Sequence, residues 1–241
     1  GDELETAIST LAAVNTVSGD IDIDNSVGGL LTIGAVDNVS GVTNTGPDDI
    51  VITNGSPLTV SNNVTATGDI TLTASDSAAA GDDFTVDANV VIASAGGMVT
   101  LNAGDDYTQN AAATINAATT ININIDSGNA DAAVGATATI DGTVSATTVN
   151  VTGDTDSDTL DSNAIDSDYE VTGANSGTLT RGVGSVINFT TIENLGGGAG
   201  DDSFDLNGGT LSGTVDAGMG NDTLQLDDVA NTVEVTGAGS G

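Results

Sequence analysis

The side chains with chemistry to offer are almost all aspartates. The chain of 241 residues carries 35 acidic residues against a single base, Arg181, for a formal charge of -34. Many of the acids adjoin glycine in turn-like strings: Gly81-Asp82-Asp83, Gly104-Asp105-Asp106, Gly153-Asp154-Thr155-Asp156-Ser157-Asp158 and Gly197-Gly198-Ala199-Gly200-Asp201-Asp202. Carboxylates on Gly-rich turns are hard oxygen ligands of the kind that hold calcium. Net charge of this size opposes compaction unless something outside the chain screens it. Calcium is therefore the expected cofactor.

Other chemistry has little to stand on. Without His, Cys or Lys, no Ser–His or Cys–His nucleophile and no Schiff base can be assembled. Paired carboxylates can cleave a glycoside, but such sites usually also use sugar-stacking aromatics and cationic partners. Two Tyr, three Phe, no Trp and one Arg are a poor supply. The chain reads as a non-enzyme, with a carbohydrate-binding or carbohydrate-degrading protein as the alternative. The sign of the charge argues against nucleic acid and against anionic membranes as partners. Its apolar patches are far too short to span a bilayer. The absence of Cys excludes disulfides and thiolate metal sites, and is compatible with a secreted or cell-surface location.

The elements that must position these acids follow from a repeat. A branched apolar residue, a small turn and an alternating strand recur as Val64-Thr65-Ala66 with Ile70-Thr71-Leu72, and as Ile92-Ala93-Ser94 with Val99-Thr100-Leu101. They return as Ile115-Asn116-Ala117 with Ile121-Asn122-Ile123, and as Val144-Ser145-Ala146 with Val149-Asn150-Val151. The steps are 28, 23 and 29 residues; Phe84 and Tyr107, each behind a Gly-Asp-Asp string, repeat at 23. Apolar-polar-apolar triplets put two branched side chains on one face. Alone they are too short for a sheet, but stacked coil on coil they enclose a narrow core that suits Val, Ile, Leu and Ala. Thr and Asn then form outward ladders, with Gly and Asp at the corners.

The expected fold is all-β, a parallel β-helix (β-solenoid) with irregular coils of about 20–30 residues and about 8–11 coils in all. Tandem β-sandwich modules are the alternative, disfavoured by strands this short. Only residues 4–14 have helical potential, and they also read as strand. One continuous solenoid over 1–241 is expected, with a possible subdivision at 152/153.

Two resemblances enter on these motifs. The middle of the chain, with Gly68-Asp69-Ile70-Thr71-Leu72-Thr73-Ala74 and Gly97-Met98-Val99-Thr100-Leu101-Asn102-Ala103, resembles the haemagglutinin-type β-helical repeats of large bacterial adhesins. That implies haemagglutinin-like coils over 1–152. The stretch 153–241 looks like RTX calcium-binding coils, because Gly197 to Asp205 matches every fixed position of the nonapeptide G-G-x-G-x-D-x-U-x. Ala217 to Gln225 misses only the first Gly. The resemblance implies that Asp202 and Asp222 are calcium ligands, with Asp201 and Asn221 beside them. The two copies lie 20 residues apart instead of following directly, so they are half-sites unless a coil of that length stacks them. Asp82, Asp83, Asp105 and Asp106 have their apolar residue one position too early for the nonapeptide. Asp154, Asp156 and Asp158 resemble the alternating-carboxylate start of a calcium loop, without the Gly and distal Glu of an EF-hand.

The implied role is an extracellular structural or adhesive segment, working by stiffness and by end-to-end or lateral self-association, with surface glycans as further partners. Neither Gly1-Asp2 nor residues 230–241 read as a capping element. The chain is therefore expected to be a segment of a giant adhesin or a polymerising subunit.

Overall fold

The computed structural model describes residues 3–26, 29–131, 134–162 and 165–227. Gly1-Asp2 and residues 230–241, read above as uncapped ends, lie outside them. Among the described residues every regular element is a β-strand. The strands form three large sheets of twelve, nine and six strands and one two-stranded ribbon, Ala35–Val36 with Val39–Ser40.

One circuit shows how the sequence builds this. Ile50–Asn54 lies in the first sheet, Leu58–Val60 in the second and Val64–Ala66 in the third, and Ile70–Ala74 returns to the first. Gly55-Ser56-Pro57, Ser61-Asn62-Asn63 and Thr67-Gly68-Asp69 are the intervening corners, rich in residues that favour turns. Burial alternates strictly along each strand, so the branched residues face inward and Thr, Val51 and their like face outward. Each strand then pairs in parallel with its equivalent on the circuits before and after. All strand pairings run parallel except the ribbon and the two made by one hairpin, which excludes the hairpin connectivity of a sandwich.

The pairing register coincides with the sequence repeat. In the third sheet Val64 pairs Ile92, Ile92 pairs Ile115, and Ile115 pairs Val144. In the first sheet Ile70, Val99, Ile121 and Val149 stack in the same way, and Phe84 lies over Tyr107 in the second. The nine strands of the second sheet fall within the expected coil number. Residues 4–14 contribute strands, Leu4–Glu5, Thr10–Leu11 and most of Ala13–Asn15. The inward side chains form one continuous apolar core from Leu11 to Phe204. Outside, Asn124 Nδ2 donates to Asn102 Oδ1 (2.8 Å) and Asn102 Nδ2 to Thr73 Oγ1 (3.0 Å), a ladder across three circuits.

The regular pattern changes after residue 162. The hairpin Ser167–Gly173 with Ser176–Arg181 inserts two strands into the first sheet between Ile187–Thr190 and Ser203–Leu206. The third sheet ends at Thr143–Ser145, where Ser185 N–H bonds the Val144 carbonyl at 2.8 Å. The buried guanidinium of Arg181 donates to the Ile140 and Gly142 carbonyls beside it. A covered edge offers no template for a foreign strand. Beyond it the chain alternates between the second and first sheets only, and Ser203 pairs Thr223 in 20-residue circuits. The topology is compatible with a β-helix that narrows from three sides to two.

Candidate metal centre

The acids fall at particular corners. Four consecutive passages from the first sheet to the second are residues 75–83, 103–106, 125–136 and 153–158. Strand pairing stacks these loops, so acids distant in sequence converge there. Asp76, Asp126 and Asp131 each offer an oxygen within 4.8 Å of the others, and so do Asp126, Asp154 and Asp158. Asp126 belongs to both groups.

Asp126 is the centre of this arrangement. Its side chain is 2% exposed, and neither carboxylate oxygen has a hydrogen-bond donor. Asp76 Oδ1, Asp131 Oδ1 and Asp82 Oδ2 are likewise buried oxygens without a donor. A buried, unpaired carboxylate is among the costliest groups a fold can carry. Burial first, then the charges of Asp154, Asp158, Asp131 and Asp156, push the Asp126 carboxyl up to about 7. Burial, followed by Asp105, Asp76 and Asp82, raises Asp131.

The second group is held more firmly. Asp158 is fully buried and accepts the Ala136 N–H at 2.8 Å and the Asp154 N–H at 2.7 Å. Burial still raises its carboxyl, those two amides oppose the rise, and the charges of Asp154 and Glu193 add to it. Asp154 experiences burial too, but bonds from the Asp156 amide (2.9 Å) and from Asn129 Nδ2 hold it below the ordinary carboxylate range. Gly128 sits against the site at φ +141°, where a Cβ would lie 2.8 Å from Asp76 Oδ2. Only Gly fits that approach. The donors are all carboxylate oxygens, a set suited to a hard cation such as calcium and unsuited to softer metals. Buried oxygens without donors fit that demand.

The other sequence-derived candidates distribute as follows. Asp105 Oδ2 accepts the Asp82 N–H (2.8 Å), Asp106 Oδ1 accepts the Thr137 N–H (2.7 Å), and burial with the Asp106 charge raises Asp83. Asp156 lies beside Asn129 Nδ2 at 3.4 Å. In the C-terminal circuits the 20-residue register does stack Asp202 over Asp222, and Asp222 Oδ1 accepts the Asp202 N–H at 3.0 Å. Asp202 Oδ1 accepts the Ser167 N–H at 2.8 Å, while its Oδ2 is buried without a donor. Burial, partly offset by the Ser167 amide, raises that carboxyl, with the charges of Asp222 and Asp166 adding to the rise. Asp201 Oδ1 accepts the Asn221 N–H at 2.9 Å, so this pair ties two circuits together through the backbone.

The structure thus brings Asp154 and Asp158 together and adds Asp76, Asp126 and Asp131, which the sequence reading missed. A signal existed: Asp126 and Asp154 each stand five residues after the paired Ile121 and Val149. No protein-family model, no curated protein and no solved structure matches this chain.

Proposed function

We propose that this chain is an extracellular structural or adhesive rod segment: a parallel β-helix whose stacked circuits are stiffened by calcium at the acidic corners. The observation that carries the reading is the direction in which the side chains point. All five aromatic rings, Phe84, Tyr107, Tyr169, Phe189 and Phe204, are turned into the core, and the outer faces present ladders of Thr, Asn and Asp. Such a surface offers repetition and stiffness and supports a role without catalysis. Calcium sites of modest affinity suit extracellular fluid, and the lack of any cysteine is compatible with that location. Among the described residues no helix is long and apolar enough to cross a membrane.

Further rungs would add at the two ends of the stack. Leu4, Val14 and Val17 on the first circuit, and Met219, Leu224 and Leu226 on the last described one, are exposed apolar residues on or beside the strands that are outermost among the described residues. The resemblance to haemagglutinin-type and RTX repeats, quoted on its motifs above, points the same way. The carbohydrate alternative has two grooves in its favour: one of about 280 Å³ is lined by Asp168, Glu170 and the buried Tyr169, and the other, of about 400 Å³, has Asp161 and Asp216 among its lining. The lining of the larger includes no aromatic residue, and the buried rings, Tyr169 among them, leave none for a sugar to stack on. Electron micrographs and sedimentation in millimolar calcium test the proposal. End-to-end rows that disperse with chelator are expected; a monomer at every concentration that instead binds a glycan array in chelator would overturn it.

A further inference from the structure

We propose that Asp126 bridges two calcium ions, one held with Asp76 and Asp131 and the other with Asp154 and Asp158. This deepens the calcium reading above and rests on it. The two groups share Asp126 and no other residue, and within each the ligand oxygens lie within 4.8 Å of one another. Had the five acids formed one cage, they would make a single group. Both oxygens of Asp126 lack a donor although the side chain is 2% exposed, so one is available to each side. A carboxylate oxygen that accepts one amide keeps a lone pair for a metal. Asp154 and Asp158 can therefore ligate while their bonds to Asp156, Ala136 and Asp154 amides fix their orientation.

Charge supports two ions over one. Five carboxylates meet at this corner. A single divalent ion leaves three negative charges uncompensated in a half-buried place, whereas two leave one, and the cost of unpaired buried charge is steep. The geometry also gives the pair a mechanical role. Asp76, Asp126 with Asp131, and Asp154 with Asp158 belong to three different loops of the stacked corner. A bridged pair would lock these three against one another, where a single ion would join fewer.

The test is calcium stoichiometry by native mass spectrometry and calorimetry, on the full chain stripped with chelator and titrated with calcium chloride. Relative to the parent, Asp126→Asn is expected to bind two ions fewer, Asp131→Asn one fewer and Asp154→Asn one fewer. The double variant Asp131→Asn/Asp154→Asn should lose two, which keeps the test decisive if Asp126→Asn fails to fold. Circular dichroism in chelator verifies the fold of each variant. The proposal is overturned if Asp126→Asn loses one ion or none, or if either single variant removes both. A parent chain that takes up no calcium sinks the calcium reading as well. One that binds calcium unaffected by Asp126→Asn sinks the bridge alone.

Discussion

The same residue type is used in opposite ways at two corners of the same circuits. Where the third sheet turns into the first, acids and amides match. Asp20 Oδ1 accepts the Asp49 N–H at 3.0 Å, Asp49 Oδ1 accepts the Asp69 N–H at 2.7 Å, and Asp69 Oδ1 accepts the Met98 N–H at 2.8 Å. Each carboxylate stands in for the strand bond that the corner interrupts, and Gly68 and Gly97 leave room for it. Where the first sheet turns into the second, acids outnumber the amides that face them, and oxygens of Asp76, Asp82, Asp126 and Asp131 are left over. A balanced corner is complete by itself. An overloaded one has oxygens to offer a cation, and this difference, more than the total charge, separates structural aspartates from candidate ligands.

The contrast can be broken in several ways. The largest effect should come from calcium itself. A site held at 100 times its Kd adds about 2.7 kcal/mol of stability, which in a chain of this length is roughly 5–10 °C in Tm. Thermal melts in calcium and in chelator measure this, and coincident melts would erase the distinction between the corners. Next in size is Asp49→Ala, which strands the Asp69 amide and should cost about 1–3 kcal/mol in urea denaturation. That cost is expected to be equal with calcium and with chelator. Asp126→Asn should reverse sign instead, destabilising in calcium and stabilising in chelator, where it removes a repelled charge.

The pH profile sharpens the point further. Asp126 has its carboxyl raised from 3.8 to about 7 in the folded chain. Between those values the folded state keeps a proton that the unfolded state has released, so stability falls as pH rises. Chelated protein is therefore expected to be more stable near pH 5 than near pH 8, and Asp126→Asn should flatten that slope. The smallest effect belongs to the outer ladder. Asn150→Ala removes a donation to Asn122 Oδ1 (2.9 Å) and the long bond accepted from Asn188 Nδ2 (3.4 Å), and should cost about 0.5–1 kcal/mol, indifferent to calcium and to pH.

How far the sequence could be read depended on the range of the signal. Triplets such as Val64-Thr65-Ala66 alternate so strictly that their spacing matched the pairing of Val64, Ile92, Ile115 and Val144. The 20-residue stacking of the Gly-rich strings was visible as a condition and is met by Ser203 and Thr223. The hairpin at Ser167–Arg181 was missed because its longer alternating strands lie in a stretch read for its acids, although Gly173-Ala174-Asn175-Ser176-Gly177, with Asn175 at φ +50°, marks the turn. Asp154 and Asp158 were legible because they sit in one loop. Asp126 follows Ile125 as a lone acid; Asp131 shares its loop, but Asp76 lies 50 residues before it and Asp154 and Asp158 lie 28 and 32 after, and only the register of the sheets unites these.

Amide hydrogen exchange, compared with and without calcium, tests the account most directly, because it reads both corners in one sample. The account predicts that calcium slows exchange at 126–131 and 153–158 by tenfold or more, about 1.4 kcal/mol, while amides of Asp49, Asp69 and Met98 are unchanged. Equal protection at both corners, or none at either, would contradict it.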